Sequence, residues 1–100
     1  MRIHHRTLDR RAKAHELRDE KLATGFTWRG ARFQVDAGSR LAIAARAMRV
    51  QRTGETVVEW RTVENEAYPF SGEDFLAFAD AADEFAERVM VETWALKSGL

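Results

Sequence analysis

Phe26-Thr-Trp-Arg-Gly-Ala-Arg-Phe-Gln-Val35 alternates apolar and polar side chains with the period of a strand, broken once by Arg29-Gly30. If that dipeptide is a two-residue turn, Phe26 faces Phe33 and Trp28 faces Ala31. Val35 then shares their side, and Thr27 and Arg32 take the other. A glycine in such a turn supplies the positive φ that the connection needs. The stretch therefore predicts a hairpin with one apolar face.

Downstream, Asp36 and Ser39 are alternative N-caps for a helix from Arg40 to about Arg52, stopped by Gly54. Leu41, Ala44, Ala45 and Met48 are its expected buried stripe, broadened by Ile43, Ala47 and Val50, with Arg46, Arg49 and Arg52 on the wet flank. Residues 56–70 repeat the pattern. With Glu64-Asn65-Glu66 as a three-residue loop, Trp60 pairs with Phe70 and Thr62 with Tyr68, and Pro69 places its strand at a sheet edge. Ser71-Gly-Glu-Asp74 opens as a capping box with Asp in place of Glu. Phe75, Phe78, Ala82, Phe85, Val89 and Leu96 follow 3-4 spacing along a final helix over 72–98, about 40 Å long. A compact chain of this size spans about 34 Å. The end of the helix, with Val91, Trp94, Leu96 and Leu100, is expected to overhang the core.

Upstream, Thr7 can cap a helix to about Leu22 whose apolar stripe of Leu8, Ala12, His15 and Leu22 is thin, and Gly25 ends it. A helix with so little to bury is marginal alone and must dock on the domain, a sister chain or a partner. The expected fold is α+β: an N-terminal helix and two hairpin-plus-helix units (α-ββα-ββα), helices packed on a small antiparallel sheet. Residues 1–24 form a basic arm and residues 25–100 one domain. Its expected core is Phe26, Trp28, Phe33, Trp60, Phe70, Phe75, Phe78 and Phe85.

The 100 residues are 45% apolar with ten aromatics and one proline, enough for a folded core without cross-links. No cysteine is present, so disulfides and thiolate chemistry are excluded. The start has no apolar signal segment, and no stretch is long and uncharged enough to span a bilayer. Net charge is zero, yet residues 1–61 hold 14 basic and 7 acidic side chains and residues 62–100 hold 2 and 9. Folding either cancels these fields against each other or leaves a basic and an acidic face for partners.

No residue set announces catalysis. There is no glycine-rich phosphate loop and no nucleophile elbow. His4, His5 and His15 lack the spacing of a metal site. Asp80, Asp83, Glu84 and Glu87 lie on one side of the last helix without the Glu-x-x-His companion of a carboxylate bundle, and read as a wet acidic stripe open to a basic partner. The basic first helix interleaves Asp9, Glu16, Asp19 and Glu20, unlike a dedicated nucleic-acid module.

Read in order, Gly30, Phe33, Asp36, Ser39, Arg40, Ile43, Ala44 and Ala47, then Trp60, Arg61, Asn65, Phe70, Ser71, Asp74, Phe75, Phe78 and Ala82 resemble a small domain of unknown function found in bacteriophage tail-fibre and tail-associated proteins. In that family a glycine-led hairpin enters an Asp-x-x-Ser-Arg helix start, and a Trp-Lys/Arg, an Asn turn and a capped helix follow. The resemblance covers about residues 25–90. It implies a non-enzymatic phage or prophage structural protein, with no cofactor or metal. Its location would be the virion, or the host cytoplasm during assembly, without export by a signal peptide. A tail-fibre assembly chaperone absent from the particle and a small nucleic-acid-binding regulator are the alternatives. Expected partners are other tail or virion proteins, in a homo-oligomer or mixed assembly; neither membrane nor nucleic acid is expected. The residues left for them are Arg10, Arg11, Arg18, Lys21, Val91, Trp94, Leu96 and Leu100.

Overall fold

The computed structural model describes residues 13, 16–22 and 24–98, without the side chains of 96–98. The order is α1 (helical at residues 16–22), β1 (Phe26–Trp28), β2 (Ala31–Phe33), α2 (Ala37–Thr53), β3 (Val57–Arg61), β4 (Ala67–Ser71) and α3 (Gly72–Ser98). This is the expected α+β order, with the strands paired as two separate antiparallel hairpins. Val63 N–H donates to the Arg32 carbonyl at 2.8 Å and ties the second hairpin to the first.

The first hairpin has the expected register, Phe26↔Phe33 and Trp28↔Ala31. Both turn residues have positive φ, 48° at Arg29 and 85° at Gly30, the mirror-image turn whose twist suits a two-residue hairpin. Arg29 tolerates this conformation while its guanidinium lies 5.0 Å over the Trp28 ring and bonds the Asp74 carboxylate at 3.0 and 3.4 Å.

The second hairpin is shifted by two residues from expectation. Trp60 pairs with Tyr68 and Val58 with Phe70. The reason is the turn. Asn65 N–H donates to the Thr62 carbonyl, Thr62 N–H to Glu66, and Asn65 takes φ 63°, so the loop is Val63-Glu64-Asn65. Glu66 N–H also bonds Thr62 Oγ1 at 3.1 Å, which secures this choice. A shift of two preserves side-chain parity, and Val58 and Phe70 remain buried. The backbone bonds Thr62–Glu66 and Gly72–Thr56 fix the alternation of the ladder. The Glu59↔Pro69 rung falls between bonded pairs, so the missing proline N–H costs the ladder nothing.

Of the two possible caps for α2, Asp36 is the one used. Its Oδ1 accepts from Ser39 N–H at 2.7 Å, the helix starts at Ala37, and it ends on Gly54 in the left-handed conformation. Hydrogen bonds from the backbone and side chain of Ser39, then the charge of Arg40, hold the Asp36 carboxyl below its ordinary value. A depressed folded-state pKa means that the cap's contribution is complete above about pH 4 and lost as acid protonates the carboxylate. Asp36→Ala should lower stability by about 1 kcal/mol at pH 7 and by less at pH 3, measured from urea midpoints. Equal losses at both values would remove the charge from the account. On α3, Ser71 Oγ accepts from Asp74 N–H at 3.1 Å, the capping interaction anticipated from the sequence.

The buried stripe of α2 differs from the expected one. Ile43 and Val50 are buried with Ala47 beside them, while Leu41 and Met48 are 73% and 65% exposed. Both stripes recur at helical spacing, and in an alanine-rich helix either can face inward. The burial of Val50 against the start of α3 decides for Ile43 and Val50. Arg46 also leaves the wet flank: its guanidinium is half-buried and meets Glu55 at 2.8 Å, where Arg49 joins it at 2.7 Å.

Two apolar clusters are threaded on α3. Phe75 and Phe78 join Phe33, Ile43, Val50, Val58 and Phe70 in the larger. Ala82, Ala86 and Val89 join Leu22 and Val35 in the smaller, with Phe26 and Phe85 at its margin. Trp28 and Trp60 stand at the rim of the larger cluster, half-buried, with Trp28 edge-on to Phe78 at 5.8 Å and Trp60 tilted on Phe75 at 5.3 Å. They are lids over the core, in place of the interior pins expected from the hairpin pattern. The described chain is elongated, 57 × 26 × 19 Å.

Candidate functional site

Gly25 ends α1, its N–H donating to the Lys21 carbonyl, and Val35 N–H donates to Leu22 O at 3.1 Å. The second bond ties the end of α1 to the exit of β2, and buried Leu22 packs it on Ala82, Ala86 and Val89 of α3. At its C-terminal turn the first helix thus docks in cis.

Between α1 and α3 runs an open groove. Phe85 and Val89 are its floor, Leu17 one wall, and Glu20, Lys21, Arg88 and Glu92 its charged rim. Lys21 Nζ and Glu92 Oε2 close its far end at 2.8 Å. The hydrogen bond from Lys21, then its charge, holds the Glu92 carboxyl below the usual value, with Arg88 adding to this. The rim carries both signs. A single anionic or cationic small ligand finds no uniform field there, whereas a helix or peptide with apolar anchors and mixed charge would find partners of both signs.

Of the residues expected to meet partners, Lys21 is on this rim, and Arg18 lies one turn back, bound to neighbouring Asp19 at 3.2 Å. Val91 and Trp94 are 50% and 59% exposed near the end of α3, on the side away from buried Thr93, and do not line the groove. Glu92 points to α1, and Val91 and Trp94 leave the helix in other directions. Arg10, Arg11 and Leu100, like His4, His5 and His15, lie outside the described residues, as does the side chain of Leu96. The sequence reading missed Leu17, Phe85 and Val89 as groove residues. Phe85 and Val89 belong to the core by their spacing; Val89 is buried and Phe85 half-buried, and only the position of α1 reveals that both border a groove.

The ion pairs Lys21–Glu92, Arg29–Asp74 and Arg32–Glu64 join the basic and acidic halves of the chain. Cancellation therefore occurs around the hairpins and α1. Within α2, Arg46 and Arg49 are met by Glu55 of the same half, Arg40 shares a groove with Asp80 and Asp83 of α3, and Glu84 and Glu87 stay exposed on α3. Among the described residues no group of three or more His, Asp or Glu is placed to hold a metal ion, and no helix is long and apolar enough to cross a membrane.

A family model described as a domain of unknown function (DUF4376) matches residues 5–100, and the chain belongs to that family. The match takes in α1 as well as both hairpin-helix units. No curated protein and no solved structure matches.

Proposed function

We propose that this member of the DUF4376 family is a non-enzymatic interaction scaffold of a bacteriophage or prophage particle, associated with the tail. The observation that carries the scaffold reading is the grouping of exposed Leu17, Val91 and Trp94 around the α1–α3 end of the body; Leu41, Met48 and Val57 are exposed elsewhere on it. Large apolar side chains on a charged surface are the anchors of protein interfaces, with tryptophan foremost among them. The tail assignment rests on the resemblance of residues 25–90 to tail-fibre-associated domains.

Mutating the overhang separates scaffold from fold. Val91→Asp/Trp94→Asp should leave the melting temperature within a few degrees, because exposed positions contribute little to stability. Phage carrying it should nevertheless assemble fewer infectious particles, by tenfold or more. Unchanged plaque counts would sink the proposal. Mass spectrometry of purified particles then separates a resident component, found in every particle, from an assembly factor that departs.

A further inference from the structure

We propose that the outer edge of β3 is a docking site for an extended segment of another protein, which joins it as an added strand beside the start of α2. In the β3–β4 ladder Thr62 is bonded to Glu66 and Thr56 to Gly72, so Val57, Glu59 and Arg61 turn their N–H and C=O groups away from β4. Val63 is next in this alternation, and its N–H donates to the Arg32 carbonyl at 2.8 Å. The edge thus bonds a chain that is laid along it. β2 ends at Phe33, however, and among the described residues the outward main-chain groups of Val57, Glu59 and Arg61 have no such partner.

Where β2 leaves, a groove of about 590 Å³ opens between this edge and the start of α2. Its far wall is Gln34, Gly38, Ser39 and Ala42, three of them small, and Trp60 lies at its near side. The other edge of the sheet is closed to such pairing. Pro69 holds the outward position at the middle of β4 and has no N–H to give.

The row of backbone groups specifies the occupant. Donors and acceptors repeating at every second residue along Val57–Arg61 match an extended chain of about five residues, whereas a helix has its own groups bonded internally. The added strand's side chains then alternate. One set joins exposed Val57, Glu59 and Arg61 on the outer face, where the Arg61 guanidinium already donates to the Asn65 carbonyl at 3.2 Å and Glu59 is left to face a basic residue. The other set enters the groove beside Trp60 and Ala42, which suits β-branched residues. β3 of a second copy fits less well. The antiparallel register that opposes Glu59 to Arg61 sets the copy's Val57 against Val63, where Arg32 already stands, and the register centred on Glu59 opposes two carboxylates. The proposal does not depend on the tail assignment or on the α1–α3 groove.

The probe is the peptide acetyl-Thr-Val-Lys-Val-Thr-amide, whose lysine falls opposite Glu59 in either chain direction. Titrated to about 5 mM into the nitrogen-15-labelled full chain, it should shift the amide signals of Val57, Glu59 and Arg61 and slow their exchange with solvent about tenfold, with Ala67 and Ser71 on the β4 edge unmoved. Glu59→Pro removes an outward N–H without touching the bonds to β4, and should weaken binding about tenfold. Glu59→Gln keeps that N–H and should weaken it by less than about threefold. Should the proline unfold the chain, Ala42→Arg fills the groove from an exposed helix position and should weaken binding about tenfold in its place. No shift at 5 mM overturns the proposal, as do equal losses in Glu59→Pro and Glu59→Gln, or full binding by a folded Ala42→Arg. The same shifts on concentrating the protein without peptide would assign the edge to a second copy and overturn it too.

Discussion

Phe78→Ala is expected to remove cooperative folding near physiological temperature. Its ring is fully buried and lies 4.8 Å from Phe33, 4.9 Å from Phe70, 5.6 Å from Phe75 and 5.8 Å from Trp28. Those rings come from β1, β2, β4 and α3, so the cavity left by truncation has walls on several elements and cannot collapse by moving one. Phenylalanine-to-alanine changes in such sites cost about 3–5 kcal/mol, against a total of about 5–15 for a small domain. Differential scanning calorimetry should show the transition lowered by 15 °C or more, or lost. A shift under 5 °C would mean that the aromatic cluster is not the centre of the fold. Phe85→Ala, at the margin of the smaller cluster, should cost about half as much.

Gly25→Ala should be the most damaging change of a single methyl group. The residue has φ +108°, where a side chain is strained, and an added Cβ would stand 2.7 Å from the Phe33 carbonyl oxygen and 3.3 Å from Val63 Cγ2. Backbone strain of about 1–3 kcal/mol and overpacking of a similar size give an expected loss of about 2–4 kcal/mol. Gly30→Ala is the control. It too has positive φ, +85°, but open space around it, so it should lose only the conformational part, about 1 kcal/mol. Urea midpoints of the two variants separate strain from collision; equal losses would show that the close approach of α1's exit to β2 relaxes freely.

The parts of this fold that were legible before any coordinates are those fixed by local chemistry. The Arg29-Gly30 turn, the serine cap of α3 and the span of that helix each follow from a few adjacent residues. What was illegible depended on which of two equivalent local solutions the rest of the chain selects. The loop of the second hairpin could begin at Val63 or Glu64, and only the bonds between Thr62 and Glu66 choose. The face of α2 could be Leu41 and Met48 or Ile43 and Val50, and only packing on α3 chooses. The groove was hidden for a related reason. Its walls belong to helices far apart in sequence, and periodicity within one helix says nothing about where its neighbour stops.

The two clusters strung along α3 also set how the molecule opens. Phe75 and Phe78 are held by one cluster, Ala82, Ala86 and Val89 by the other, and each cluster mixes residues of both halves of the chain: Phe33, Ile43 and Val50 with Val58, Phe70, Phe75 and Phe78 in the larger, Leu22 and Val35 with Ala82, Ala86 and Val89 in the smaller. The halves, alike as they are in pattern, are therefore not separable folding units. Amide protons from Phe75 to Val89 should exchange only through global unfolding, at one common rate. Beyond Thr93, the last buried side chain of the described helix, protection should fall turn by turn. The helix is one rod to the eye and two regimes to the solvent: a spine that opens only with the whole molecule, and a tip that opens alone.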